Sequence, residues 1–143
     1  MYSPLQLPPA SLKIKNEQIW DRLRKKYVAF TPEEWVRQHL IAYLIDHLQY
    51  PEGRMASEFT VDYNGMKKRC DIVAFDADLK PFFIVECKAP DVPLSADTFY
   101  QVARYGASLK DRLLVLSNGI SHYCAQLDPE RGVIYLPEIP VYR

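Results

Sequence analysis

The dipeptide Asn64-Gly65 constrains the fold of this chain more than any other feature of its sequence. It separates two runs, Glu58 to Tyr63 and Met66 to Asp76, which are rich in β-branched, aromatic and alternating charged residues. Asn-Gly is strongly preferred in two-residue hairpin loops because both of its residues tolerate a positive φ. The sequence therefore predicts a hairpin in which Tyr63 faces Met66.

This hairpin fixes the partners of the residues further from the turn. Counting outward, Phe59 faces Cys70 and Glu58 faces Asp71. Side chains alternate between the two faces of a strand, so one face is largely apolar and has Lys68 as its one charged member. The opposite face is polar and carries Glu58, Thr60, Asp62, Lys67, Arg69 and Asp71.

The third strand extends this polar face. If the next turn has four loop residues, 77–80, Asp76 faces Pro81 and Asp71 faces Glu86. Neighbouring strands lie about 4.8 Å apart, so the carboxylates of Glu58, Asp71 and Glu86 form a row that can converge on one ion. Lys88 follows two residues after Glu86 and lies on the same face.

Three like charges side by side are unfavourable in a sheet, and either Lys88 or a divalent cation with oxygen ligands is expected to offset them. Mg²⁺, with Mn²⁺ as a substitute, fits carboxylate ligands better than Zn²⁺ does. A charged residue at a strand end is usually only solvated. However, Glu86 and Lys88 lie in the otherwise apolar run Ile84 to Lys88, where a charge is costly unless it is paired or bound to a metal. The sequence therefore predicts a metal site at Asp71 and Glu86 with Lys88 beside it, and Glu58 belongs to it unless the register slips.

The other elements place this hairpin in a mixed sheet. Thr31-Pro32-Glu33-Glu34 is typical of a helix start with a capping box, and this first helix is expected to end near Tyr50-Pro51. A second helix is predicted from Ser95–Thr98 to about Lys110, with further strands at 112–117, 121–127 and 133–136. The predicted fold class is α/β of the mixed α+β type, a single mixed sheet flanked by helices in the order α-β-β-β-α-β-β. Residues 1–18 are predicted to form an N-terminal arm with a short hairpin, and residues 19–143 one domain.

Composition excludes several other classes of protein. Eighteen basic and eighteen acidic residues balance, which argues against a protein coated in nucleic acid but allows a local basic patch. Three widely spaced cysteines without a C-x-x-C pair favour neither a disulfide framework nor a zinc site. No apolar run approaches the ~20 residues of a membrane span. We expect a cytoplasmic protein that does not bind membranes.

Several motifs together resemble the PD-(D/E)XK nuclease superfamily, and specifically the N-terminal domain of type I restriction enzyme R subunits. The resemblance covers about Ile19 to Leu127. The Glu-Cys-Lys segment alone is weak evidence for this family. Its combination with an upstream Asp, a downstream Q-x-x-x-Y element and a helix acid is a specific pattern. The matching segments are residues 31–38 (TPEEWVRQ), 68–73 (KRCDIV), 84–90 (IVECKAP), 101–105 (QVARY) and 116–119 (LSNG).

The resemblance implies the fold of a restriction endonuclease and a role for each matching residue. Asp71 and Glu86 would hold Mg²⁺, and Lys88 would orient the attacking water and offset developing charge. Glu34 would be the acid from the first helix, although it also serves as the capping-box residue. Gln101 and Tyr105 would lie near the site or the DNA, although both are equally compatible with a helix surface. Cys70 replaces the proline in the superfamily's usual pattern.

These residues favour a metal-dependent DNA endonuclease that hydrolyses phosphodiester bonds, with Lys67, Lys68 and Arg69 as phosphate contacts. The alternative is a DNA-binding or regulatory module that keeps the nuclease fold and needs a partner for activity. The expected partners are DNA, a helicase motor of the kind that R subunits carry or another restriction subunit, and a second copy of the chain. A small-molecule enzyme has little support, because the sequence has no phosphate-binding glycine loop, nucleophile elbow or cofactor fingerprint.

Overall fold

The computed structural model describes residues 3–63, 65–106 and 112–143. Two α-helices are present in this part of the chain, α1 (Pro32–Ala42) and α2 (Ala96–Gly106). The first three strands are β1 (Ile14–Lys15), β2 (Gln18–Asp21) and β3 (Lys26–Ala29). The other six are β4 (Met55–Tyr63), β5 (Met66–Phe75), β6 (Pro81–Cys87), β7 (Arg112–Ser117), β8 (His122–Asp128) and β9 (Gly132–Leu136).

The six later strands form one mixed sheet in the order β4-β5-β6-β7-β8-β9. Neighbouring strands are antiparallel except β6 and β7, which are parallel and are connected through α2. A parallel pair needs a crossover connection of this kind. The predicted fold class and the order α-β-β-β-α-β-β are confirmed, and β9 is the further strand expected near Val133.

Each face of the large sheet is covered by one helix. On one face, Val36 and Leu40 of α1 pack with Ile72, Phe83 and Val85 of the sheet. On the other face, the α2 residues that pack against the sheet are Phe99 and Ala103, and they belong to a cluster that also contains Val73, Ile84 and Leu116. The central strand β6 is therefore buried on both sides, which is why its sequence is nearly continuously apolar.

The β4–β5 hairpin has the register expected from Asn64-Gly65, with Tyr63 paired to Met66 and Phe59 to Cys70. The next turn is different. Phe75, not Asp76, faces Pro81, because the register shifts between Ala74 and Phe75. This bulge compensates for the extra loop residue, so the interior pair Ile72↔Val85 has the predicted register.

The first helix begins as predicted, with the Thr31 hydroxyl accepting from the Glu34 N–H at 3.0 Å. After Ala42 the chain continues as a π-helical turn, Tyr43–His47, and Gln49 then takes a left-handed conformation. Helical backbone therefore ends a few residues before the predicted stop at Tyr50-Pro51. The predicted end of the second helix near Lys110 lies outside the described residues.

The N-terminal residues contribute to the body of the protein. Leu5 and Leu7 pack against the core cluster around α1, and the Gln6 N–H donates to the Gly119 carbonyl at 2.7 Å. The predicted short hairpin is present, with Asn16 and Glu17 in its turn, and β3 adds a strand that the sequence did not suggest. The strands β1, β2 and β3 form a three-stranded sheet separate from the large one. The boundary expected after residue 18 falls inside this small sheet. No described helix has the length and apolar character required to cross a membrane.

Candidate active site

The three predicted carboxylates occupy adjacent positions on β4, β5 and β6. The pairs Ser57↔Ile72 and Phe59↔Cys70 lie on either side of Glu58 and place it opposite Asp71. The pair Ile72↔Val85, extended by one residue, places Asp71 opposite Glu86. The row that the strand register predicted is therefore present at the level of the backbone.

The side chains do not keep the unbroken alternation that was predicted through Asp71. Cys70 and Val73 belong to the same buried cluster although they are three residues apart, and strict alternation would put them on opposite faces. Opposite this break, Glu58 has a left-handed φ of 54°. The hairpin twists at this point, and Lys68 of the supposedly separate apolar face reaches Glu86, with its Nζ 3.5 Å from Oε1.

Asp71 is held by two partners, Cys87 and Arg37. Its Oδ2 accepts from the Cys87 N–H at 2.7 Å, which ties the end of β5 to the end of β6. Its main-chain carbonyl accepts from Arg37 Nη1 at 3.3 Å, and its Oδ1 lies 3.8 Å from the same nitrogen. The carboxylate is thus fixed beside β6, and among the described residues this long contact is the one ion pair of Oδ1.

Of the three carboxylates in the row, Glu86 has a negative charge that is the least compensated by neighbouring cations and hydrogen-bond donors. Its side chain is only 16% exposed, and Oε1 is buried without a hydrogen-bond partner among the described residues. The pKa of Glu86 is raised to about 7, chiefly by burial, with a smaller increase from the charge of Asp71 and the hydrogen bond between the two carboxyls, while Lys68 opposes the increase. Two carboxyl groups that share one low-dielectric position cannot both ionise easily without a cation.

Lys88 and Glu33 are both close enough to the Asp71 position to interact with it electrostatically or with each other. Lys88 follows the end of β6, where its N–H donates to the Ser117 carbonyl at 2.8 Å, and its side chain is exposed. The pKa of Glu33 is raised by burial and by the Asp71 charge and lowered by the charges of Arg37 and Lys88. Glu33 is therefore the α1 carboxylate that is electrostatically coupled to the Asp71 and Lys88 positions, a residue that the sequence motifs did not assign to the site.

The predicted helix acid, Glu34, has other partners. Its carboxylate lies 2.7 Å from Arg37 Nη2 and 3.5 Å from Arg24 Nη2, and it accepts from Gln38 Nε2 at 3.2 Å. The Thr31 half of the capping box forms, whereas the Glu34 carboxylate binds these side chains. Consecutive helical residues point about 100° apart, so Glu33 and Glu34 cannot face the same position. The adjacent pair of acids at the helix start was the available sequence signal for Glu33.

Glu58 is bound by two arginines. Its Oε1 lies 2.6 Å from Arg37 Nη1, and its Oε2 lies 2.5 Å from Arg69 Nε. Burial opposes ionisation of Glu58, but the hydrogen bonds and charges of Arg37 and Arg69 outweigh it and lower the pKa. Arg37 also pairs with Glu34 within α1. The guanidinium therefore joins α1 to β4 and β5.

In this arrangement the carboxylates of Glu58, Asp71 and Glu86 do not converge on one ion position. Within residues 3–63, 65–106 and 112–143, no group of three or more His, Cys, Asp or Glu side chains is placed to hold a metal ion. The physical reason is that Arg37 and Arg69 occupy both oxygens of Glu58. Asp71 and Glu86 are the adjacent pair, and the buried Oε1 of Glu86, which has no hydrogen bond among the described residues, fits an oxygen-seeking cation such as Mg²⁺.

The remaining predicted residues lie on the β4–β5 hairpin and on α2. Lys67 is exposed on the hairpin, and Arg69 is 67% exposed despite its bond to Glu58. Gln101 is exposed on α2, a helix that contacts β7, β8 and β9. The side chain of Tyr105 lies outside the described part of the structure, so its predicted role stays a prediction. Cys87 is buried in the core.

The comparison with known families gives one match. The profile of a family described as Type I restriction enzyme R protein N terminus (HSDR_N) matches residues 32–140. This segment includes α1, the whole six-stranded sheet and every residue of the candidate site. No curated protein matches the chain.

Proposed function

This chain belongs to the family of type I restriction enzyme R protein N termini, and we propose that it is a nuclease domain that hydrolyses DNA phosphodiester bonds with a divalent cation held by Asp71 and Glu86. The family supports a role in a restriction system. The observation that carries the nuclease proposal is the buried Oε1 of Glu86 beside the Asp71 carboxylate, which has no hydrogen bond among the described residues and only the Lys68 ammonium, at 3.5 Å, as an ion-pair contact there. A buried carboxylate oxygen without a hydrogen bond is costly, and a divalent cation at this point would offset that cost.

The chemistry of the donors supports Mg²⁺, with Mn²⁺ as a substitute. Mg²⁺ is usually bound by one or two carboxylates and keeps several waters, so it does not require a complete cage of protein ligands. Asp71 and Glu86 supply these two carboxylates. Glu33 adds a third acidic group, from α1. It is close enough to Asp71 for the charge of Asp71 to raise its pKa. Glu58 is assigned to the support of this site, because its oxygens are bound by Arg37 and Arg69.

The roles of the residues follow from their charge and position. A bound divalent cation would polarise the scissile phosphate and lower the pKa of a water to near neutrality. The exposed ammonium of Lys88 would face the phosphate and offset the negative charge that develops during attack. Glu33, with its raised pKa, is suited to accept a proton from the attacking water. Lys67 and Arg69 would contact the DNA backbone, where positive charge neutralises phosphate.

DNA and the other subunits of a restriction complex are the proposed partners. The family description refers to one subunit of such an enzyme, and R subunits of this kind act together with a motor. The chain carries no net charge, so its own electrostatic contribution to DNA binding is limited to local patches such as the β4–β5 hairpin. Recruitment by a partner would supply the remaining affinity.

A cleavage assay with matched variants tests the proposal. Supercoiled, linear duplex and single-stranded DNA are incubated with the protein in Mg²⁺, Mn²⁺ or EDTA. Asp71→Asn, Glu86→Gln and Lys88→Met should each reduce cleavage by about 10²-fold or more, the magnitude typical for groups that act in the transition state. Glu130→Gln and Lys80→Met, which change exposed residues in distant turns, should cleave like the wild type.

Equal cleavage by all five variants would assign the activity to a contaminant and contradict the proposal. The second candidate function is a DNA-binding module that is inactive alone, and one observation favours it: no three-ligand metal group is assembled within the described ranges. Metal-independent DNA binding, lost in a variant with Lys67, Lys68 and Arg69 all changed to Ala, together with no cleavage under any condition, would favour this candidate.

A further inference from the structure

Lys68 makes a contact that its proposed role at the DNA backbone does not explain. Its Nζ lies 3.5 Å from Oε1 of Glu86, and no other cationic side chain within the described ranges forms an ion pair with this carboxylate. The Lys68 side chain is 43% exposed, whereas that of Glu86 is 16% exposed. The ammonium is thus more accessible to solvent than the carboxylate that it contacts.

The twist of the β4–β5 hairpin brings Lys68 to this position. The left-handed backbone at Glu58 and the break in alternation after Cys70 turn the end of the hairpin, so that Lys68 lies on the side of Glu86. The neighbouring Arg69 is engaged elsewhere, since its Nε is bound by Glu58 at 2.5 Å. Lys67 has no acidic partner within 4.0 Å among the residues that the structure describes, which makes it a natural reference for Lys68.

We infer that the Lys68 ammonium occupies the cation position while no metal is bound, and that a divalent cation displaces it toward a DNA phosphate. The inference rests on the proposed function, because it needs the metal site at Asp71 and Glu86. An ammonium and Mg²⁺ cannot both contact Oε1, since Mg²⁺ binds oxygen at about 2.0–2.1 Å. Lysine is suited to such an exchange because its charge is a compact group at the end of a flexible stem.

The exchange couples metal binding to DNA binding. With Oε1 free of metal, the Lys68 charge is shared with Glu86 and neutralises little phosphate. After displacement, the same charge is available to DNA, and each additional neutralised phosphate steepens the dependence of log K on log salt by about 0.9. Linkage requires that DNA favours metal binding by the same factor by which metal favours DNA binding.

Two binding measurements test the inference without reference to cleavage. The first is the affinity for Mg²⁺ alone, by calorimetry, for the wild type, Lys68→Met, Lys68→Arg and Lys67→Met. Lys68→Met should bind Mg²⁺ about tenfold more tightly, because a unit charge a few ångströms from a divalent ion is worth about this factor even in a water-like dielectric. Lys68→Arg keeps the competing charge and should stay close to the wild type, as should Lys67→Met.

The second measurement is the salt dependence of binding to a short duplex, by anisotropy, in EDTA and in Ca²⁺, with the duplex checked for integrity. Metal should steepen the slope of log K against log salt, and the increase should be about 0.9 larger for the wild type than for Lys68→Met. Lys67→Met should reduce the slope equally in both conditions, since no ion pair with an acid holds Lys67 in the absence of metal.

The outcomes separate this inference from the proposed function. If Mg²⁺ binds the wild type and is lost in Asp71→Asn, but Lys68→Met has unchanged Mg²⁺ affinity, the metal site stands and the role of Lys68 as a competing cation is wrong. If Lys68→Met and Lys67→Met change the salt slope identically in both conditions, the displacement is wrong. If the wild type binds no divalent cation, both the inference and the metal-dependent function fail.

Discussion

The replacement Glu86→Gln gives the most direct test of the site's electrostatics, because it removes a titrating group and keeps the shape. The pKa of Glu86 is about 7 in the folded protein, compared with an ordinary value of 4.5. Each pKa unit corresponds to about 1.36 kcal/mol, so ionised Glu86 opposes folding by about 3 kcal/mol. Its side chain is largely shielded from solvent, at 16% exposure.

The sign of the pH dependence follows from this raised pKa. Between pH 4.5 and 7 the folded state binds more protons at this position than the unfolded state, so the free energy of unfolding falls as the pH rises. Below pH 4.5 the group is protonated in both states and contributes nothing. Glu86→Gln should therefore match the wild type at pH 4.5 and exceed its free energy of unfolding by up to about 3 kcal/mol at pH 8.

Urea denaturation, followed by tryptophan fluorescence in EDTA at several pH values, measures this difference. Glu130→Gln is the control, because it neutralises an exposed carboxylate and should leave the profile parallel to the wild type. Mg²⁺ at 100 times its dissociation constant should stabilise the wild type at pH 8 by about 2.7 kcal/mol, and Glu86→Gln by much less. A constant difference between wild type and Glu86→Gln from pH 4.5 to 8 would refute the reasoning.

Two further predictions concern the supports of the site. Asp21 is fully buried; burial raises its pKa, but hydrogen bonds from Arg24, Ser57 and Leu23 outweigh this and lower it. Asp21→Asn should therefore cost about 3 kcal/mol at pH 7, with a smaller cost as the pH falls below 3.8; urea titrations at pH 7 and pH 3 check this, and an equal cost at both would contradict it. Gly119 has a φ of 85°, and a Cβ there would lie 2.6 Å from Leu5 Cδ2, so Gly119→Ala should cost about 1–3 kcal/mol. Thermal unfolding of Gly119→Ala alone and in a Leu5→Ala background measures this: a smaller cost in the second background supports the clash, and an equal cost would leave only backbone strain.

Short-range signals predicted the fold well because they depend on neighbours in the sequence. Asn64-Gly65 specified a two-residue loop, and the register of the hairpin followed from it as far as Phe59 and Cys70. The loop before Pro81 was assigned one residue too short, and the bulge between Ala74 and Phe75 restored the interior register. A bulge of this kind depends on how the two strands twist in the sheet, and no local residue pattern announced it.

The site shows the same division between local and tertiary information. The motif and the strand periodicity were enough to predict that Asp71 and Glu86 lie opposite each other on adjacent strands, with Lys88 two residues further along. They did not distinguish Glu33 from Glu34, because both lie in the first helical turn and the direction that faces Asp71 is set by how α1 packs on the sheet. Nor did they predict that Arg37 would bind Glu58 across two elements.

The sequence by itself thus determined which residue types occur at which strand and helix positions, since hairpin loops, caps and alternation are properties of a few consecutive residues. Only the tertiary structure decided which charges neutralise one another. Arg37 and Arg69 bind Glu58, and Lys68 turns toward Glu86. The physical reason is that a left-handed residue at Glu58 twists the hairpin, and at distances of a few ångströms such a rotation changes which ion pairs form.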